Sequence, residues 1–152
     1  MGLLWITAAG RFEFDEDGNA THWAQPHDEL VADALHSWKG DPSSMRIHMA
    51  AERAGEPEPW SGSGKQMRAQ ARALLHEIET NSRPNDRTLY RGDHREPGPH
   101  SEWSESRKVA NHWARKGGGT VHVRKPGEGM GIRISDYINS QMNEGERGWI
   151  LR

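Results

Sequence analysis

The spacing of apolar residues changes character once along this chain, and that change limits the folds open to it. Between residues 28 and 79 apolar side chains recur at the 3.6-residue period of a helix, whereas beyond Pro84 they fall in short runs broken by glycine and charge. A helical part followed by a strand-rich part is the order of an α+β domain. The first helix is expected over Asp28 to Trp38, with Leu30, Val31, Ala34, Leu35 and Trp38 on one side and Asp28 as its cap. A shorter helix through Met45 and Met49 follows, capped by Pro42-Ser43-Ser44. Gly55 to Gly64 is a turn-rich connector, and Lys65 to Glu79 forms a third helix with Met67, Ala71, Leu74, Leu75 and Ile78 inward.

Beyond Pro84 the expected strands are Thr88 to Gly92, the stretch ending at Arg124 after the glycine run 117–119, Met130 to Tyr137 with a turn, and Gly148 to Leu151. Ser101 to Ser106 leads into a helix from Arg107 to Arg115, which carries Val109, Ala110, Trp113 and Ala114 on one side. Ahead of all this, Leu3 to Thr7, Arg11 to Phe14 and Thr21 to Trp23 read as an N-terminal β-ribbon with a turn at Asp17-Gly18-Asn19.

The chain has 152 residues, the size of one domain, here divided into a ribbon (1–25), a helical part (28–80) and a β-rich part (86–152). A hydrophobic fraction of 33% and a mean hydropathy of -0.97 imply a small core, to which seven Trp give bulk. A net charge of -2 with both signs interspersed disfavours a protein held mainly on phosphate backbones, so nucleic acid is an unlikely partner. The absence of Cys excludes disulfides, thiolate nucleophiles and zinc-finger sites. Met1 to Ala9 lacks the basic leader of a signal peptide, and no apolar run approaches the roughly 20 residues that span a bilayer. A cytoplasmic setting, of the producing cell or of a target cell, is the expectation.

Several tempting motifs fail. Ser63-Gly64-Lys65 is no phosphate loop, because Pro59 stands where the first glycine is needed and Gln66 follows the lysine. Asp15 to Asn19 misplaces the glycine of a calcium loop, and the nine His have no convincing ligand spacing. Three other features carry more. Glu144-Gly145-Glu146 sets two carboxylates one residue apart just before apolar Trp149-Ile150-Leu151; in extended backbone both would share a face, although a solvated acidic turn is the commoner meaning. Arg91 interrupts an uncharged strand and precedes Gly92, which leaves the backbone open to a ligand; its guanidinium fork suits a diphosphate or carboxylate, and snorkelling at a strand end is the bland alternative. Ser104 and Ser106 precede a helix, where they can cap it or hold a carboxylate. Tyr90 and Trp103 have faces on which a base or nicotinamide could stack, though aromatics beside strands are more often core.

In this order the Leu89-Tyr90-Arg91-Gly92 strand, the Trp103-Ser104-Glu105-Ser106 segment and the Glu144-Gly145-Glu146 pair resemble the Arg-Ser-Glu class of mono-ADP-ribosyltransferases, which includes cholera-toxin-like and clostridial binary-toxin-like enzymes. The resemblance covers about residues 28 to 152, and its useful motifs lie after Thr88. It implies two packed antiparallel sheets forming an NAD cleft, with helices on the N-terminal side. It also implies that Arg91 binds the NAD phosphates, with Tyr90, Gly92, Ser104 and Ser106 close to the dinucleotide, and that Ser104 or Ser106 braces the catalytic Glu146. Glu144 would face the acceptor, a Glu there going with arginine, and the loop from Ser135 to Asn143 would recognise the target protein. The implied activity is arginine-directed ADP-ribosyl transfer with release of nicotinamide, without a metal, by a toxin-type or phage-type effector. A nucleic-acid acceptor and a non-catalytic, virion-associated module are the alternatives. The family commonly has Ser-Thr-Ser where this chain has Glu102-Trp103-Ser104 or Ser104-Glu105-Ser106, and the spacing from Arg91 to Ser104 is compact.

Overall fold

The computed structural model describes residues 3–7, 10–14, 20–24, 26–60, 62–139 and 147–152, the first three segments as backbone. Three strands, β1 (Leu3–Thr7), β2 (Gly10–Phe14) and β3 (Ala20–Ala24), form an antiparallel meander of their own. This is the ribbon expected from sequence.

Helices α1 (His27–Gly40), α2 (Pro42–Arg53) and α3 (Gly62–Asn81) follow. Their inward faces are the periodic ones: Val31, Ala34, Leu35 and Trp38 from α1, Met45 and Met49 from α2, Ala71, Leu74, Leu75 and Ile78 from α3. The caps differ from expectation. Pro26, not Asp28, precedes α1, and Asp28 lies in the first turn, where its charge complements the helix dipole. Asp41 caps α2, accepting from the Ser44 N–H at 3.1 Å, while Pro42 takes the first-turn position that needs no donor. The third helix reaches back into the expected connector and starts at Gly62.

The rest of the chain builds a six-stranded sheet in the order β4-β8-β9-β6-β5-β7, with every pair antiparallel. Its strands are β4 (Arg83–Pro84), β5 (Leu89–Asp93), β6 (Ser101–Ser104), β7 (Thr120–Arg124), β8 (Met130–Arg133) and β9 (Gly148–Leu151). Helix α4 (Arg107–Gly117) connects β6 to β7, and the 3₁₀ turn Ile134–Asp136 replaces the second half of the strand expected to run to Tyr137. The six strands are one hydrogen-bonded sheet, where the resemblance implied a packed pair.

Strand β9 is the spine, with all four residues buried. Alternation sends Ile150 into the core under the helices, beside Ile132, Ile134 and Leu74, and sends Trp149 and Leu151 into a second cluster with Leu89 and Trp103. Each such side chain contributes about 1.5–3 kcal/mol when fully buried. Buried Arg68 joins α3 to α2 through Glu52 at 2.7 Å and the Glu56 carbonyl at 2.6 Å. Glu77 ties α3 to α1 and to the turn after β8, accepting from Tyr137 Oη at 2.8 Å and Asn81 Nδ2 at 3.0 Å and contacting His27 Nε2 at 2.8 Å. Burial pushes the Glu77 pKa up, but these bonds outweigh it and hold the carboxyl below its ordinary range. No helix among the described residues is long and apolar enough to cross a membrane.

Candidate functional site

Strands β5 and β6 are joined in register at one residue pair, Tyr90 and Ser104, whereas β5 pairs with β7 at five positions. Away from that junction a cleft of about 710 Å³ opens, lined by Tyr90, Arg91, Gly92 and Ser104 together with Lys39 and Trp113. Its volume lies within the roughly 300–1,000 Å³ of small-molecule sites.

The arginine is held in place rather than left to snorkel. Neighbours along an antiparallel strand bond alternately to the two sides. Because Glu105 donates its N–H to Arg147 at 3.2 Å on the β9 side, Glu102 and Ser104 present their backbone groups toward β5. Strand β5 supplies no ladder partner at Glu102, and Arg91 Nη1 donates to that carbonyl at 2.7 Å instead. Its Nε donates to Asp93 Oδ2 at 3.2 Å. Burial raises the pKa of Asp93, yet the Arg91 charge and bonds from Arg91 and the Arg95 N–H more than offset this and keep it anionic. The Glu102 carboxylate in turn accepts from Trp38 Nε1 at 3.1 Å and is paired with Lys39 Nζ, which anchors β6 to α1.

The two serines have separate duties. Ser106 is the N-cap of α4, its Oγ accepting from the Val109 N–H at 3.4 Å. Ser104 lines the cleft, and its Oγ accepts from the Ser106 N–H at 3.0 Å. Gly92 lines the cleft and has a packing role as well: a Cβ there would lie 2.1 Å from the Ala110 carbonyl oxygen and 2.4 Å from the Ala114 nitrogen. The missing side chain makes room for α4 against β5, so close helix packing demands the glycine. Trp103 is buried in the core cluster with Arg124 over its ring at 4.6 Å, which is the packing role. Tyr90 stays half-buried at the cleft, with Arg107 stacked at 5.9 Å.

Glu144, Gly145 and Glu146 lie outside the described residues, as do residues 140–143 of the expected recognition loop; Ser135 lies in the 3₁₀ turn. Beyond them Gly148 pairs with Ser104, and the Arg147 carbonyl accepts from the Glu105 N–H.

Four cleft residues escaped the sequence reading. Lys39 and Arg46 come from helices read only for their apolar faces, and Glu102 stands in a segment read for its serines. Trp113, on the same side of α4 as Ala110 and Ala114, is 48% exposed at the cleft, with Lys116 over its ring at 5.3 Å. Helical spacing held the only signal: Trp113 stands three residues from Ala110, whose side lies against β5. No group of His, Asp or Glu among the described residues is arranged to hold a metal ion. Comparison of the chain with protein-family models, curated proteins and solved structures gives no match.

Proposed function

We propose that the protein is an NAD-dependent mono-ADP-ribosyltransferase that modifies arginine side chains of target proteins and releases nicotinamide. The observation that carries this reading is the meeting of Arg91 and Ser104 at one cleft, with β9 laid beside Ser104 and a Glu-Gly-Glu tripeptide in the sequence immediately before Arg147. Residues 91, 104 and 146 are far apart in sequence.

The chemistry follows from the residue types. Arg91, already oriented by Glu102 and Asp93, offers its remaining guanidinium N–H groups to the diphosphate of NAD. The bond between ribose C1′ and the nicotinamide nitrogen breaks, its electron pair leaves with neutral nicotinamide, and positive charge develops on the sugar. Glu146, accepting from the ribose 2′-hydroxyl, stabilises that charge more than the ground state. Ser104, which lines the cleft, braces Glu146 through its hydroxyl. An acceptor guanidinium nitrogen then bonds to C1′ while Glu144 takes its proton and later yields it to solvent. Trp113 offers an aromatic face to a base or to nicotinamide.

The test is incubation of the protein with labelled NAD and an arginine-containing peptide. Nicotinamide release together with one ADP-ribose on the arginine is the expected result. Label attached only to nucleic acid would transfer the same chemistry to a different acceptor, and no nicotinamide release with any acceptor would overturn the reading.

A further inference from the structure

A second cavity of about 420 Å³ opens beside the first and shares Arg46, Arg91 and Asp93 with it. Arg53, Arg95, Glu96, His100 and Ser101 complete its polar lining, so four guanidinium groups face one hollow of a chain whose net charge is -2. Its acids are already engaged. Asp93 is paired with Arg91 at 3.2 Å and with His94 at 3.3 Å, and Glu96 meets Arg124 at 3.0 Å and His122 at 3.5 Å. Arg46, Arg53 and Arg95 make no ion pair among the described residues.

Two buried polar atoms in this lining also lack a hydrogen-bond partner: Nε of Arg46 and Nδ1 of His100. His100 is 6% exposed and has the left-handed φ of 58°, with its N–H donating to the Leu151 carbonyl at 2.8 Å. A buried donor without a partner costs about 1–3 kcal/mol, and a ligand that supplies acceptors relieves that cost. Packed cations without anions are unfavourable in the same way. Burial and then the neighbouring Arg91 lower the pKa of Arg46, and burial together with the Arg53 and Arg46 charges, which outweigh Glu79, lowers that of His100.

We infer that this cavity is a phosphate site, held by Arg46, Arg53, Arg95 and His100, for a phosphomonoester distinct from the diphosphate assigned to Arg91. The shared wall suits a single nucleotide that reaches both cavities, such as a dinucleotide carrying an extra phosphate on its adenosine ribose. The phosphate site itself stands without the transferase reading, and only its assignment to a dinucleotide rests on that reading.

Inorganic phosphate is the first probe, followed by calorimetry and by the imidazole resonance of His100, assigned with His100→Gln. Phosphate is expected to bind and to raise the His100 pKa by about one unit, as an opposite charge a few ångströms away does. An Arg53→Ala/Arg95→Ala double variant, altered only at exposed side chains, is expected to weaken phosphate binding at least about tenfold. NADP is expected to bind the wild type about tenfold more tightly than NAD does, and the double variant is expected to bind NADP no more tightly than NAD. Phosphate binding lost in the variant without a preference for NADP supports the site and assigns it to a phosphate on another molecule. An unmoved His100 resonance, or equal phosphate affinity in wild type and variant, overturns the proposal. Because inorganic phosphate needs no turnover, that failure is distinct from a failure of nicotinamide release.

Discussion

Tyr90 and Ser104 form the one register pair between β5 and β6, and the next step along β5 brings Arg91 to the Glu102 carbonyl through its side chain at 2.7 Å. A guanidinium thus stands in for a ladder N–H where the strands part. The sheet remains connected while a cleft opens between β6 and β5, and the group that bridges the opening is the one best suited to an anionic substrate.

Arg91→Lys tests this double role. Lysine keeps the charge but cannot hold Glu102 and Asp93 while presenting a fork to a diphosphate. The expected outcome is a fall of about 1–2 kcal/mol in unfolding free energy, from a lost charged hydrogen bond, measured by urea titration. Nicotinamide release is expected to fall at least about a hundredfold, since positioning and electrostatics together exceed the bond's worth in stability.

Gly92→Ala separates helix packing from ligand access. The added methyl meets backbone of α4 at 2.1 and 2.4 Å, which no side-chain rotation relieves. The expected cost is about 1–3 kcal/mol or more, seen as a lowered midpoint in thermal unfolding. A variant as stable as the wild type would contradict the packing of α4 on β5.

Glu77 gives the fold a pH dependence. Its folded pKa is depressed, so its contribution is present above the ordinary glutamate pKa of 4.5 and is lost as pH falls through the folded value. Stability measured from pH 6 downward is therefore expected to drop more steeply in the wild type than in Glu77→Gln, which has no charge to lose. At neutral pH the Gln variant is expected to be about 1–3 kcal/mol less stable, since Tyr137, Asn81 and His27 lose a charged acceptor.

Glu102→Ala removes the acceptor of buried Trp38 Nε1 and the carboxylate paired with Lys39. Loss of a charged hydrogen bond from an indole inside the core is expected to destabilise by about 2–3 kcal/mol and to change the Trp38 emission. Glu102→Gln, which keeps an acceptor at the same place, is expected to restore more than half of that loss.

The sequence made visible what local periodicity encodes. Val31, Ala34, Leu35 and Trp38 fall at helical spacing, and Trp149, Ile150 and Leu151 form an apolar run that a strand buried on both faces requires. Arg91 could be picked out because it interrupts an uncharged strand, and Ser104 because it stands just before a helix. Hidden features depend on contacts between distant residues. The two-residue strand β4 exists only through its pairing with Gly131 and Met130. Gly92 serves a helix 18 to 22 residues further on, and Asp41 caps a helix that Pro42 and the serines appeared to start. The second cavity draws Arg46 and Arg53 from α2 and Arg95 and His100 from the segment between β5 and β6, so no sequence window contains it. Interspersed Asp and Glu also conceal a local excess of positive charge in the total.

The central claim rests on Glu146, and the most direct measurement is the rate of nicotinamide release from NAD by purified wild type and Glu146→Gln, matched for folding by their thermal midpoints. The wild type is expected to release nicotinamide and the variant to be slower by at least about a hundredfold, the size of effect that follows loss of a group stabilising transition-state charge. Equal rates in the two proteins, or no release by either, would contradict the account.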